Sequence, residues 1–245
     1  MLIMAGSPLL YLLCYAIMEK KHSKAVKLDS EDSNGMESHT VTWKEKLSAA
    51  GHILPLVIAL FVAYVSEYVI IQSVITTMAF PNAPFPPRVH YRYYIFIFLS
   101  GEFIARSYLA VYIASVKPSL VNLFAIRRIW ILSLILVVQL VFFTLAAWYR
   151  FLHDVWIVFI LIFAAGLGAG AAFTNAFVVV SETDAKFKEF STGFATIGMG
   201  VGTFCAGVVG LLMEPVIRDH CLAVSDVGDY CFTRPFGGWN QTIGC

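Results

Sequence analysis

The sequence predicts an all-α protein that crosses a lipid bilayer six times. Three observations carry that prediction. Of the 245 residues 59% are hydrophobic and only 13% are charged, where a soluble domain carries about 25% charged residues. Mean hydropathy is +0.76. The apolar residues are also gathered into blocks of roughly 18 or more, the length a helix needs to cross a hydrocarbon layer about 30 Å thick. This composition excludes a soluble enzyme, a nucleic-acid binder and a disordered tail. The formal net charge of +1 points to no strongly charged macromolecular partner. The partner it demands is the lipid bilayer.

The first span, residues 1–18, begins almost at Met1 with no basic residue ahead of it. A secretory leader carries its positive charge before the apolar stretch, whereas Lys20, Lys21, Lys24 and Lys27 follow it here. The pattern favours an uncleaved span with its start outside, and it also fits a chain that has lost upstream sequence. Residues 19–52 are rich in Lys, Ser, Asp and Glu, show no hydrophobic period before Trp43, and read as a solvated linker. The second span covers 53–78. Pro81, Pro84, Pro86 and Pro87 then make the connection at 79–92 an extended, stiff turn. The third span is 93–115 and the fourth 129–149, whose run from Ile129 to Val138 does not alternate as a barrel strand must. The fifth is 155–180. Both it and the second are long enough to tilt or to end in a short interfacial turn. The sixth, 191–213, is followed by Glu214-Pro215, most simply a helix stop, and by a tail at 216–245.

Lys and Arg set the orientation. The connections at 19–52, 116–128 and 181–190 hold six, three and two of them, against two, one and two in the connections at 79–92 and 150–154 and in the tail. The richer side belongs in the cytosol, so the tail faces a lumen or the exterior. Asn240-Gln241-Thr242 is a glycosylation acceptor usable only on that side, with Asn240 as the acceptor residue. Cys221, Cys231 and Cys245 lie where disulfides could persist. Cys14 and Cys205 fall inside spans and read as packing residues.

Three ionisable residues stand where lipid should be: Glu67 in the second span, Glu102 and Arg106 in the third. Each costs about 2.5–3.5 kcal/mol at the bilayer centre on insertion scales. They are therefore expected to face a bundle interior or a wet cavity. Glu102 and Arg106 are four residues apart, on one helix face and within mutual reach. One reading is an ion pair that merely neutralises both. The other makes Arg106 an anion-binding group, since a guanidinium stays charged and matches a phosphate or carboxylate with two parallel hydrogen bonds. Glu67 is then a candidate proton carrier or second counter-ion. Gly166, Gly168 and Gly170 in the fifth span, and Gly198, Gly200, Gly202 and Gly210 with Ala206 in the sixth, form small-residue surfaces for close helix packing or for rocking. Asn175, after the first of these, offers a polar contact to a neighbouring helix or a solute.

No enzyme constellation accompanies these features. The sequence lacks His-Glu-x-x-His, Cys-x-x-Cys, a Walker loop and Gly-x-Ser-x-Gly. Its six histidines fall in or beside connections without converging. No cofactor or metal is expected.

Several stretches resemble the battenin family: Ser66-Glu67-Tyr68-Val69-Ile70-Ile71-Gln72, Tyr91-Arg92-Tyr93-Tyr94, Ala105-Arg106-Ser107, Gly166 through Asn175-Ala176-Phe177, and Glu182-Thr183 through Glu189-Phe190. They follow the family's order and cover roughly residues 53–215. The resemblance implies six helices similar to one half of a major-facilitator-type transporter, with 1–18 as the last span of the other half. It implies a cytosolic linker at 19–52, a five-helix bundle at 53–215 and a lumenal tail at 216–245. It further implies a multi-pass protein of lysosomal, vacuolar or late-endosomal membranes that exports small anionic solutes such as glycerophosphodiesters by alternating access. In that scheme Arg106, Glu67, Glu102 and Asn175 contact solute, protons are candidate coupling ions, and a second bundle or copy completes the pathway. The competing expectations are a non-transporting scaffold that affects lysosomal pH and basic amino-acid balance, and an inactive half-length fragment. The chain departs from the family at Ala165, where an acidic residue is expected, at Glu102, where an apolar one is, and in the tail from Asp219.

Overall fold

In the computed structural model the described residues are 43–115, 128–183, 185–224 and 230–233. The expected first span, most of the linker, the loop at 116–127, Cys14, Cys245 and Asn240 lie outside them. Five long helices account for nearly all the rest. We label them α1 (Trp43–Val69), α2 (Pro87–Ser115), α3 (Ile129–Tyr149), α4 (Val155–Ser181) and α5 (Lys188–Val224). Helix α1 runs on through a π-turn at Ile70–Val74 and a 3-10 turn at Ile75–Thr77. The hydroxyls of Ser73, Thr76 and Thr77 donate to the carbonyls of Val69, Ser73 and Val74, supplying acceptors with partners where the regular ladder stops. A short 3-10 turn, Ala185–Phe187, leads into α5.

Four segments are long and apolar enough to cross a membrane: Trp43–Thr77, α3, α4 and α5. Helix α2 is the most polar of the five, with Arg88, His90, Arg92, Glu102 and Arg106 among its 29 residues. It is nonetheless helical across the whole of the expected third span. The fold class is thus all-helical and multi-pass among the described residues, with four candidate spans by length and composition.

Glycines decide how closely the helices pack. A Cβ added at Gly101 of α2 would sit 2.5 Å from the Phe163 carbonyl oxygen of α4, and one at Gly170 of α4 would sit 2.6 Å from the Glu102 carbonyl oxygen. Gly166 meets the Phe98 carbonyl in the same seam. The α1–α5 seam repeats the device: Gly198 meets Val57, and a Cβ on Gly202 would lie 2.9 Å from the Phe61 carbonyl oxygen. Gly168 instead touches Leu136 of α3, and Gly200 faces open space. Helix α3 is joined to α1 by Ser133, whose hydroxyl donates to the Ala59 carbonyl at 2.7 Å. Leu60, Leu136, Phe143, Val158 and Ile162 fill the interior, while Leu134, Val138, Phe204 and Leu211 stay exposed on the outside, as lipid contact requires.

The expected stop at Glu214-Pro215 is overturned. Helix α5 continues through Pro215 to Val224, and its 37 residues reach about 55 Å at 1.5 Å per residue. Proline removes one backbone bond, and tertiary contacts compensate for it. Ile217 and Cys221 are buried, His220 stacks on Trp148 at 3.7 Å, and Cys221 is disulfide-bonded to Cys231.

Arg150 ties this end together. It closes α3 in the left-handed region at φ 53°, its N–H bonded to the Ala146 carbonyl. Its guanidinium donates to the carbonyls of Thr77, Ala79 and Tyr230 at 3.2, 3.3 and 3.2 Å and to the Cys221 sulfur at 3.2 Å. Burial lowers its pKa from the ordinary arginine value. Thr233 adds two bonds, from its N–H and its hydroxyl, to the Thr76 carbonyl at 2.8 and 2.9 Å. The connections at 78–86 and 150–154 and the tail therefore share one end. At the other end Lys186 pairs with Glu45 at 3.0 Å, joining the start of α1 to the α4–α5 turn.

Two outcomes follow for thermal unfolding in detergent. Gly166→Ala should destabilise by about 1–3 kcal/mol through forced helix separation, while Gly200→Ala should be neutral or stabilising by up to about 1 kcal/mol. Arg150→Ala should destabilise by about 2–4 kcal/mol as three carbonyls lose a charged donor. Arg150→Gly should lose less, because glycine accepts the left-handed backbone.

Candidate functional site

The intramembrane charges converge. Glu67 lies on α1 one residue-pair short of the π-turn and is only 3% exposed. Tyr64 and Tyr68 flank it and stack on each other with centroids 5.9 Å apart. On α2, Glu102 and Arg106 form the ion pair that their spacing predicts. The Arg106 guanidinium also lies 4.2 Å above the ring of Phe173 on α4, a cation–π contact. Glu67, Glu102, Arg106, Tyr64 and Tyr68 are close enough for their charges to act on one another. Three helices thus supply one cluster.

The glycine seam is what permits this convergence. Gly170 receives the backbone of Glu102 itself, so the α2 turn carrying the pair is pressed against α4 one turn before Phe173. With both carboxylates ionised the cluster carries one negative charge in excess. The side chain of Glu102 is 12% exposed and that of Arg106 is 41% exposed. A guanidinium has five N–H donors, so Arg106 keeps an accessible edge while Glu102 holds another. Chemically, the arrangement can bind an oxyanion at Arg106 and take or release a proton at the neighbouring carboxylates.

Asn175 lies further along α4. It is buried, and its side-chain amide donates to the Ala171 carbonyl of its own helix at 2.8 Å. Two residues beyond Phe173, it is turned about 200° around α4, onto the face where Gly168 meets Leu136 of α3. A cavity of about 530 Å3 lies elsewhere, between the start of α1 and the α4–α5 turn, lined by Glu45, His52, Glu182 and Phe187 among others. Among the described residues no three His, Cys, Asp or Glu side chains are placed to share a metal ion. Sequence reasoning missed Tyr64, Tyr68 and Phe173. For the tyrosines a signal exists, since both fall within one turn of Glu67. For Phe173 the contact depends on how α4 sits beside α2.

Long apolar helices that sequester charge at a three-helix contact define a multi-pass helical membrane protein. The family model described as CLN3 protein matches residues 15–220, and the chain belongs to that family. Protein BTN1 of Yarrowia lipolytica is 32% identical over 216 residues, covering 82% of this chain and 51% of that protein. Protein BTN1 of Candida glabrata is 34% identical over 176 residues, 69% of this chain and 40% of that one. Battenin of Canis lupus familiaris is 28% identical over 187 residues, 75% of this chain and 40% of that one. The resemblance to the battenin family is borne out. The chain spans about half the length of these relatives, or less. No solved structure matches it.

The pair is open to a double-mutant cycle read by thermal unfolding. Arg106→Gln should destabilise by about 1–3 kcal/mol, below the 3–5 kcal/mol of a fully buried pair because Arg106 is partly exposed. Adding Glu102→Gln should recover part of that loss, since it removes the carboxylate left without its cation.

Proposed function

We propose that the chain belongs to a battenin-type solute carrier of the lysosomal, vacuolar or late-endosomal membrane, exporting small anionic solutes such as glycerophosphodiesters by alternating access. The observation that carries this reading is the accessible edge of Arg106 beside the buried carboxylate of Glu67. Arg106 contacts the phosphate with parallel N–H donors. Glu102 holds the guanidinium in place, and Phe173 keeps one of its faces dry. Glu67 sets the balance of charge. Ionised, it opposes an incoming anion, because like charges repel strongly where water screens them poorly. Protonated, it leaves the Glu102–Arg106 pair neutral and the anion is accepted, which couples solute to protons. Facilitator-type carriers place solute between two helical halves, so a second bundle or copy forms the opposite wall, and the glycine seams are the surfaces along which helices shift.

A second reading rests on the same ion pair. Glu102 and Phe173 already satisfy Arg106, which is what a non-transporting scaffold needs to hold three helices together.

Proteoliposomes with an acidic interior and radiolabelled glycerophosphocholine distinguish the two. Carrier function requires transport by the wild type, at least a tenfold loss in Arg106→Gln that still folds, and partial recovery in Arg106→Lys. Transport untouched by Arg106→Gln removes this residue from the mechanism, and absence of wild-type transport favours the scaffold.

A further inference from the structure

His90, in the first turn of α2 on the non-cytosolic side, is fully buried. It sits in a box of rings: Phe85 at 4.7 Å, Tyr94 at 6.0 Å and Phe80 at 6.5 Å between centroids. Its Nδ1 is 3.2 Å from the carbonyl oxygens of both Pro86 and Pro87. A carbonyl only accepts, so Nδ1 carries the proton of the neutral ring. Its Nε2 is then the acceptor, and it is buried with no hydrogen-bond partner among the described residues. The box suits a neutral imidazole. A second proton, on Nε2, would create a charged donor with only aromatic rings around it. Ring faces attract a cation but replace its lost hydration poorly.

Among the described residues the surroundings supply no compensating charge. From α2 the titratable groups at the box are Tyr93, which meets Phe85 at 4.6 Å, and Tyr94, whose hydroxyl donates to the Met78 carbonyl at 3.0 Å and which feels Arg150. The connection at 79–86 contributes no titratable side chain. From α4 comes Phe159, which stacks on Phe85 at 6.0 Å and meets Tyr94 edge-on at 5.7 Å. The groups that act on His90 are burial itself and the two proline carbonyls, with no carboxylate or cation among them.

We propose that His90 is an acid-operated latch: protonation drives its ring out of the Phe80–Phe85–Tyr94 box and frees the proline-rich connection from α2 and α4. The connection would leave as one piece, because Pro81, Pro84, Pro86 and Pro87 stiffen it and Phe85 is its anchor on Phe159. The latch gains its use from the proposed function, which sets this side in an acidic lumen, but its mechanics need no solute. Burial holds the imidazole below the ordinary histidine value, and the proline carbonyls pull weakly the other way. The closed box is therefore favoured fully above about pH 6.5, the unfolded histidine value, and that support is lost as pH falls through the lowered folded value.

Hydrogen–deuterium exchange on the purified chain in nanodiscs, corrected for the intrinsic pH dependence of exchange, tests the latch without any transport measurement. Between pH 7.5 and pH 4.5 the wild type should lose protection at least tenfold over residues 79–92, while α3 keeps its own. His90→Gln, which never charges yet keeps an N–H for the proline carbonyls, and His90→Phe, which fills the box, should hold their protection at both pH values. Unchanged protection in the wild type overturns the latch even if neither variant folds. An equal loss in wild type and variants overturns it as well. Failure of transport leaves this result untouched, so the two proposals fall separately.

Discussion

Two helices can lie backbone against backbone only where Cβ atoms are missing, and the seam between α2 and α4 depends on that constraint. Gly101, Gly166 and Gly170 each meet a carbonyl of the opposite helix at a distance that any larger residue would forbid. The seam holds the most polar of the five helices inside the bundle. It also fixes where the polarity goes. The backbone of Glu102 rests on Gly170, so Arg106, one turn later, comes down on Phe173. The contact between α1 and α5 at Gly198 and Gly202 holds the opposite flank in the same manner, and Glu67 reaches the cluster from α1.

Much of this was legible in the residues themselves. Span length is a local property, and α3 and α4 begin where the apolar runs begin, at Ile129 and Val155. Boundaries strayed where tertiary structure supplies what local sequence lacks. Helix α1 starts at Trp43, ten residues inside the expected linker, with Lys186 pairing its Glu45 from another turn. Helix α5 passes Pro215 because the chain beyond it is buried and cross-linked. Charge in an apolar run is conspicuous, so Glu67, Glu102 and Arg106 could be picked out one by one. Aromatic residues make up 15% of the chain, which hides Tyr64, Tyr68 and Phe173 among many equivalents. Asn175 stands out in the sequence as a polar residue after a glycine stretch, and in the fold it is buried with its amide donating to the Ala171 carbonyl. His90 was one of six histidines near connections, and its burial arises only when the proline-rich turn folds back over it.

The two ends of the bundle are built on different physics. The end that holds the start of α1 relies on a partly exposed ion pair, Glu45 with Lys186, an interaction that salt weakens and water competes for. The opposite end relies on carbonyls gathered around one buried guanidinium, a disulfide and an aromatic box. Membership of the CLN3 family places both ends in a multi-pass membrane protein, and the charged cluster lies between them. One end is thus fastened by buried contacts and a covalent cross-link, the other by a pair that water can reach.

The threonine clasp has a consequence for biosynthesis. Thr233 closes on Thr76 across 157 residues of chain, so the end of α1 must wait, already threaded into the translocation machinery, until almost everything downstream has been made. A nascent chain interrupted before Tyr230 would leave the Thr76 carbonyl without the two Thr233 bonds, Arg150 without the Tyr230 carbonyl and Cys221 without its mate. The last dozen described residues therefore complete the fastening of the bundle only after the helices they fasten have been made.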